Sequence, residues 1–141
     1  MNAPADVVYG YIADFRGHHP KFLPPAFSDF QVESGGIGAG TVVRFKMTAG
    51  GRTRDVRTKI DEPEPGRVLT ESETGSSALT TFTVTPSGDA ASHVKITTEW
   101  NGATGIGGFF EHLFAPRALS RIYDDELRRL DAYAREQHGA S

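Results

Sequence analysis

The sequence predicts an α+β domain: one curved antiparallel β-sheet covered by a long carboxy-terminal α-helix. Three observations carry this expectation. From Pro116 to Gln137 the apolar residues Leu119, Ile122, Tyr123, Leu127, Leu130, Tyr133 and Ala134 recur at spacings of three and four, one stripe on a helix. From about Phe27 to Trp100, short segments alternate apolar and polar residues between turn signals, as an antiparallel meander with one wet wall does. A length of 141 residues suits a single domain over 1–141, with no internal repeat. The helix would run roughly 33 Å at 1.5 Å per residue, and only the sheet offers an apolar surface of that length.

The first element is a short helix, with Pro4 in its first turn, Asp6 near the positive end of its dipole, and Val8, Ile12 and Phe15 on one face beside Tyr11. Asp14 to Pro25 reads as a broken helical turn and loop, punctuated by Gly17, Pro20, Pro24 and Pro25. Phe30 and Val32 belong to the first strand, and the glycine-rich run from Gly35 to Gly40 turns into the second. There Val43, Phe45 and Met47 alternate with Arg44, Lys46 and Thr48, and Gly50-Gly51 suits a hairpin turn. The third strand places Arg52, Arg54, Val56, Thr58 and Ile60 on one face and ends at Pro63, Pro65 and Gly66. A strand around Val68 to Glu73 follows, then one with Thr80, Phe82 and Val84 facing one way. The last sets Val94, Ile96, Thr98 and Trp100 against His93, Lys95, Thr97 and Glu99. Asn101 to Phe114 is a glycine-rich link with a bulky cluster: Ile106, Phe109, Phe110, Leu113 and Phe114.

Composition narrows the function classes. A formal charge of −3 gives no general pull toward nucleic acid or an anionic membrane. The absence of cysteine removes disulfides, thiol catalysis and thiolate metal sites, and fits a cytoplasmic protein. No stretch reaches the roughly 20 apolar residues of a membrane span, and no signal-peptide pattern opens the chain. Gly102 to Gly108 lacks the lysine and hydroxyl of a phosphate loop, and no cofactor pattern appears. These glycines read as flexible links and as a candidate gate. The basic residues Arg44, Lys46, Arg52, Arg57 and Lys59 are interleaved with acids and hydroxyls, without stacking aromatics, which suits a solvated face.

The segments NAPADVVYGYIADF, GGIGAGTVVRF, the proline-rich turn before RVLTES, and GFFEHLFAPRAL leading into the final helix together resemble the START-like (SRPBCC) helix-grip superfamily. Its bacterial members are often polyketide cyclase/dehydrase or lipid-transport proteins. The resemblance spans nearly the whole chain and defines a fold rather than an activity. It implies a sheet wrapped around the long helix, enclosing an apolar cavity for a lipid, sterol or aromatic polyketide. Family members usually begin with a strand ahead of the first helix, and this sequence starts at Met1-Asn2-Ala3-Pro4. The segment from His93 to Trp100 is therefore expected to be an unpaired edge. A truncated start is the first explanation, and a strand borrowed in a homodimer is the second.

The expected cavity lining is Tyr11, Phe45, Met47, Arg54, Val56, Glu71, Phe82, Trp100, Phe109, Phe110, Leu119 and Tyr123. For any one of the bulky residues, plain core packing is the better reading. Together they exceed what a tightly closed small domain needs, and a concave sheet facing one helix leaves a pocket. Arg54 shares the inward face of Val56 and Ile60, so it needs a partner, and Glu71 or Glu73 supplies one if Leu69 points inward. That pair reads first as a rim contact holding strands in register, and second as a head-group anchor or an acid-base pair. His18 and His19 are adjacent and lack a third ligand, so no metal is expected; loop exposure is their default. The expected function is binding, with transport as one use, of a small hydrophobic ligand. The alternative is a cyclase, aromatase or dehydratase, with Arg54, Glu71, His19 and Tyr123 as candidates; its catalytic residues stay unassigned. A third reading is a protein-interaction module with a filled core.

Overall fold

In the computed structural model, residues 1, 3–49, 52–74, 78–99 and 116–138 are described, the side chains of 49, 52, 116–119 and 138 apart. Helix α1 (Ala5–Ala13) is followed by a 3-10 turn, His19–Phe22. Six strands come next: β1 (Phe27–Ser34), β2 (Val42–Ala49), β3 (Arg52–Glu64), β4 (Val68–Glu73), β5 (Leu79–Pro86) and β6 (Ser92–Glu99). Helix α2 (Pro116–His138) closes the order. The strands form one sheet in sequence order, and every neighbouring pair is antiparallel. This is the α+β arrangement that the patterning predicts and the helix-grip fold that the resemblance implies. No described helix is long and apolar enough to cross a membrane.

Alternation decides which wall is dry. Val43, Phe45 and Met47 on β2, Val56 and Ile60 on β3, Leu69 on β4, Phe82 and Val84 on β5 and Val94 on β6 are all buried in one cluster. Leu130 and Ala134 of α2 join it from the opposite layer, as do Val8 and Ile12 of α1. Leu69 faces inward, which settles the parity of β4 and carries Glu71 and Glu73 to the same side.

Three local departures matter. Pro4 caps α1 from outside rather than sitting in its first turn, and Tyr9 joins the buried face. Strand β1 has an irregular register between Ser28 and Gln31, where Asp29 takes a left-handed φ of 51°. This irregularity lets Phe27 and Phe30, an odd number of residues apart, both place their rings against Phe45. The Gly35–Gly40 run does more than turn the chain: Phe15 donates to the Gly36 carbonyl at 2.8 Å and Gly38 donates to Ala13 at 3.0 Å, docking the end of α1.

The outer edge of β6 carries no further strand among the described residues. At its start, Met1 and Ser92 exchange two backbone hydrogen bonds, as a hydrogen-bonded antiparallel pair does. The Gly50-Gly51 turn and the link with Phe109 and Phe110 lie outside the described residues, as does Trp100.

Candidate functional site

Between the concave wall of the sheet and α2 lies a cavity of about 60 Å³, taken as the space open to the centre of a water molecule. That is room for roughly four to six waters at about 10–15 Å³ each, and well under the ~150 Å³ apolar cavity that takes up benzene elsewhere. The layers are thus not meshed solid. Room for a lipid or a polycyclic ring, which the sequence leads one to expect, requires the walls to give.

Most of the lining is apolar, from Phe27 and Phe30 of β1 across Phe45, Met47 and Val56 to Phe82. One end is polar. Glu71 of β4, Thr80 of β5, Thr98 of β6, and Tyr123 and Glu126 of α2 meet there, with His19 from the 3-10 turn, and Thr58 of β3 and Glu73 of β4 add further polar lining. Tyr123 Oη bonds to Thr98 Oγ1 and lies 3.4 Å from Thr80 Oγ1, while the two threonines lie 2.9 Å apart. Burial pushes the Tyr123 phenol up to about 12, so it remains a neutral donor.

His19 is 2 % exposed, not the exposed loop histidine that its position suggests. Its ring stacks on Phe15 at 4.5 Å, and its Nδ1 lies 2.7 Å from the Ile12 carbonyl. A carbonyl can only accept, so Nδ1 carries the proton and Nε2 presents a lone pair. Burial lowers the imidazole to about 4. Nε2 stands 3.9 Å from Glu126 Oε2. Burial, reinforced by the charge of Glu71, raises Glu126 well above the usual carboxylate range. With an uncharged ring facing an acid held toward its protonated form, this contact is not an ion pair, although its distance would allow one. Glu71 keeps some accessible surface, which lines the cavity, and burial raises its carboxyl to about 7.

Of the residues expected in the cavity, Phe45, Met47, Val56, Glu71, Phe82 and Tyr123 line it. Two stand elsewhere. Tyr11 is not in the cavity wall and packs its ring against His18 and Tyr133. Arg54 points inward by parity but is not in the cavity wall; its guanidinium binds Glu73, which is. Trp100, Phe109, Phe110 and the Leu119 side chain lie outside the described residues. Glu126 escapes a sequence reading because a charged residue interrupts an apolar list. Its position, three after Tyr123 and four before Leu130, is nonetheless on the stripe. Phe27 is missed because the β1 irregularity breaks strict alternation.

A family model described as polyketide cyclase / dehydrase and lipid transport matches residues 1–135. The chain belongs to this family. Among solved structures, the KanY protein (ms6282) is 39% identical, with 92% of this chain and 88% of that one covered at a TM-score of 0.79. Two more distant structures share the fold. The protein TTHA0849 from Thermus thermophilus is 20% identical over 98% of this chain and 94% of its own, TM-score 0.72. The Zhui aromatase/cyclase from Streptomyces sp. R1128 is 19% identical over 100% and 93%, TM-score 0.69. Among curated proteins none matches the chain. Membership in the polyketide cyclase/dehydrase and lipid-transport family agrees with a ligand-binding helix-grip protein.

Proposed function

We propose that the protein binds a small hydrophobic molecule, of the lipid or polycyclic aromatic class, between its sheet and α2. The observation that carries this reading is the cavity's division into an apolar wall of phenylalanines and one polar end. Ligand sites of this kind are mostly apolar with a few polar groups that fix orientation. Occupancy requires side-chain displacement, so binding should widen the space rather than fill a ready-made void. Native mass spectrometry of the purified protein and melting curves across a panel of lipids and polycyclic aromatics test it. A co-purifying ligand or a saturable rise in melting temperature supports the reading. No ligand and no shift across the panel removes it.

A second reading has its own support. Glu71, with its carboxyl at about 7, can give or take a proton near neutral pH. It faces the same space as Tyr123 and His19. An acid-base enzyme of cyclase or dehydratase type needs little more. If an aromatic polyketide analogue is turned over, Glu71→Gln should abolish turnover while leaving the analogue's affinity within about threefold. Turnover unaffected by that change would end the enzymatic reading for Glu71.

A further inference from the structure

The hydrogen-bonding inventory at the polar end of the cavity restricts what the ligand can present there. Tyr123, Thr98 and Thr80 hold one another's hydroxyls. His19 commits Nδ1–H to the Ile12 carbonyl. Glu71 faces the cavity and Thr58 Oγ1 is buried without a partner among the described residues, but two groups with unused capacity stand side by side. Glu126, 2 % exposed, has an Oε2 atom with no hydrogen-bond partner among the described residues. His19 Nε2, 3.9 Å away, offers a lone pair and no proton. Buried polar atoms normally find a partner, so these two, side by side on the cavity wall, call for one.

We infer that the Glu126–His19 end of the cavity is a binding site for a hydroxyl group, alcoholic or phenolic, on the hydrophobic ligand. With the two atoms 3.9 Å apart, an oxygen at about 2.8 Å from each reaches both. That oxygen must donate to Nε2, because the Nδ1 proton fixes the tautomer, and it accepts from the Glu126 carboxylic acid. A ketone or ether oxygen only accepts and leaves Nε2 bare. A carboxylate only accepts, and it brings a third acidic group beside Glu71 and Glu126. A hydroxyl does both jobs. Glu73 also lines the cavity, but its carboxylate is bound to the Arg54 guanidinium.

This inference rests on the cavity reading proposed above, and three matched probes separate the two: naphthalene, 2-naphthol and 2-methoxynaphthalene, titrated into the intact protein by NMR or calorimetry. The expected result is that 2-naphthol binds at least about tenfold more tightly than naphthalene, and that the methyl ether, which cannot donate, loses that advantage. Glu126→Leu should abolish the preference, so that 2-naphthol and naphthalene bind that variant within about twofold of each other. Glu126→Gln, which keeps a donor at the same place, should retain part of the preference; melting curves confirm that both variants fold. If all three probes bind alike, or the ether matches the naphthol, the hydroxyl site is overturned and the cavity reading stands. If none binds, both fall. Should neither variant fold, the naphthol and ether comparison on the native protein decides alone.

Discussion

Gly38 has a left-handed φ of 66°, and a Cβ built there would collide with Glu62 Oε1. The same carboxylate accepts from Ala39 N at 2.8 Å and from Tyr9 Oη at 2.7 Å. One residue without a side chain thus lets the loop, α1 and β3 share a single acceptor. Gly38→Ala would add backbone strain and push Glu62 off both donors, a loss of about 2 kcal/mol or more in urea unfolding. Tyr9→Phe, which removes one hydrogen bond from this node, should cost about 1 kcal/mol. A Gly38→Ala protein as stable as wild type would mean the loop has another way to dock.

The cavity acids set a pH dependence. Folded Glu71 holds its proton up to about pH 7, whereas its ordinary value is 4.5. Between those values the folded state binds more protons than the unfolded one. Stability from this group is therefore complete below 4.5 and is lost as pH rises through 7. Glu126 shifts in the same direction. His19 opposes them: lowered from 6.5 to about 4, it makes stability climb across that window and stay level above it. Above 6.5 only the carboxyls remain, so the decline steepens there. Melting temperatures at pH 6 and pH 8 check this: wild type should fall, and Glu71→Gln should fall less. Equal drops would contradict the assignment.

At the scale of elements, two sets of side-chain hydrogen bonds tie α2 to the rest among the described residues, beside the core packing of Leu130 and Ala134. Tyr133 Oη lies 2.5 Å from His18 Nδ1, linking the helix to the 3-10 turn, and Tyr123 ties it to β5 and β6. On the exposed side, Asp125 pairs with Arg129 at 3.1 Å and Arg128 at 3.5 Å, and Asp131 pairs with Arg135 at 3.0 Å. The four-residue spacing of Asp124 and Arg128 points to a different partner; Arg128 instead reaches back three residues. Exposed pairs of this kind are worth little. Tyr133→Phe should therefore lower unfolding free energy by about 1 kcal/mol, while Arg135→Ala should stay within about 0.5 kcal/mol. The reverse order would mean that the helix is held by its surface charges.

For the whole molecule, the legible part was the part governed by period. Strand alternation and the α2 stripe gave the sheet, its dry wall and its cover, because a register slip would turn every side chain to the wrong side. The site was less legible. Val43, Phe45 and Phe82 could be assigned from parity, but Phe27 reaches the cavity only through the β1 irregularity. His19 looked like a loop residue and became a buried one when Phe15 and the Ile12 carbonyl closed around it. Glu126 carries no sequence signal of its own, being a charged residue between apolar ones. Its burial depends on the sheet passing beneath it, which no local pattern encodes. On β6, which carries no further strand among the described residues, Lys95 and Glu99 are exposed, charges that discourage edge-to-edge pairing.

The central claim is that a hydrophobic guest enters between sheet and helix, and amide NMR during a naphthalene titration tests it most directly. The account predicts saturable shifts concentrated at Phe45, Phe82, Thr98 and Tyr123, with Arg44 and Lys46 on the outer face of β2 unmoved. Shifts confined to that outer face, or none at saturating naphthalene, would contradict it.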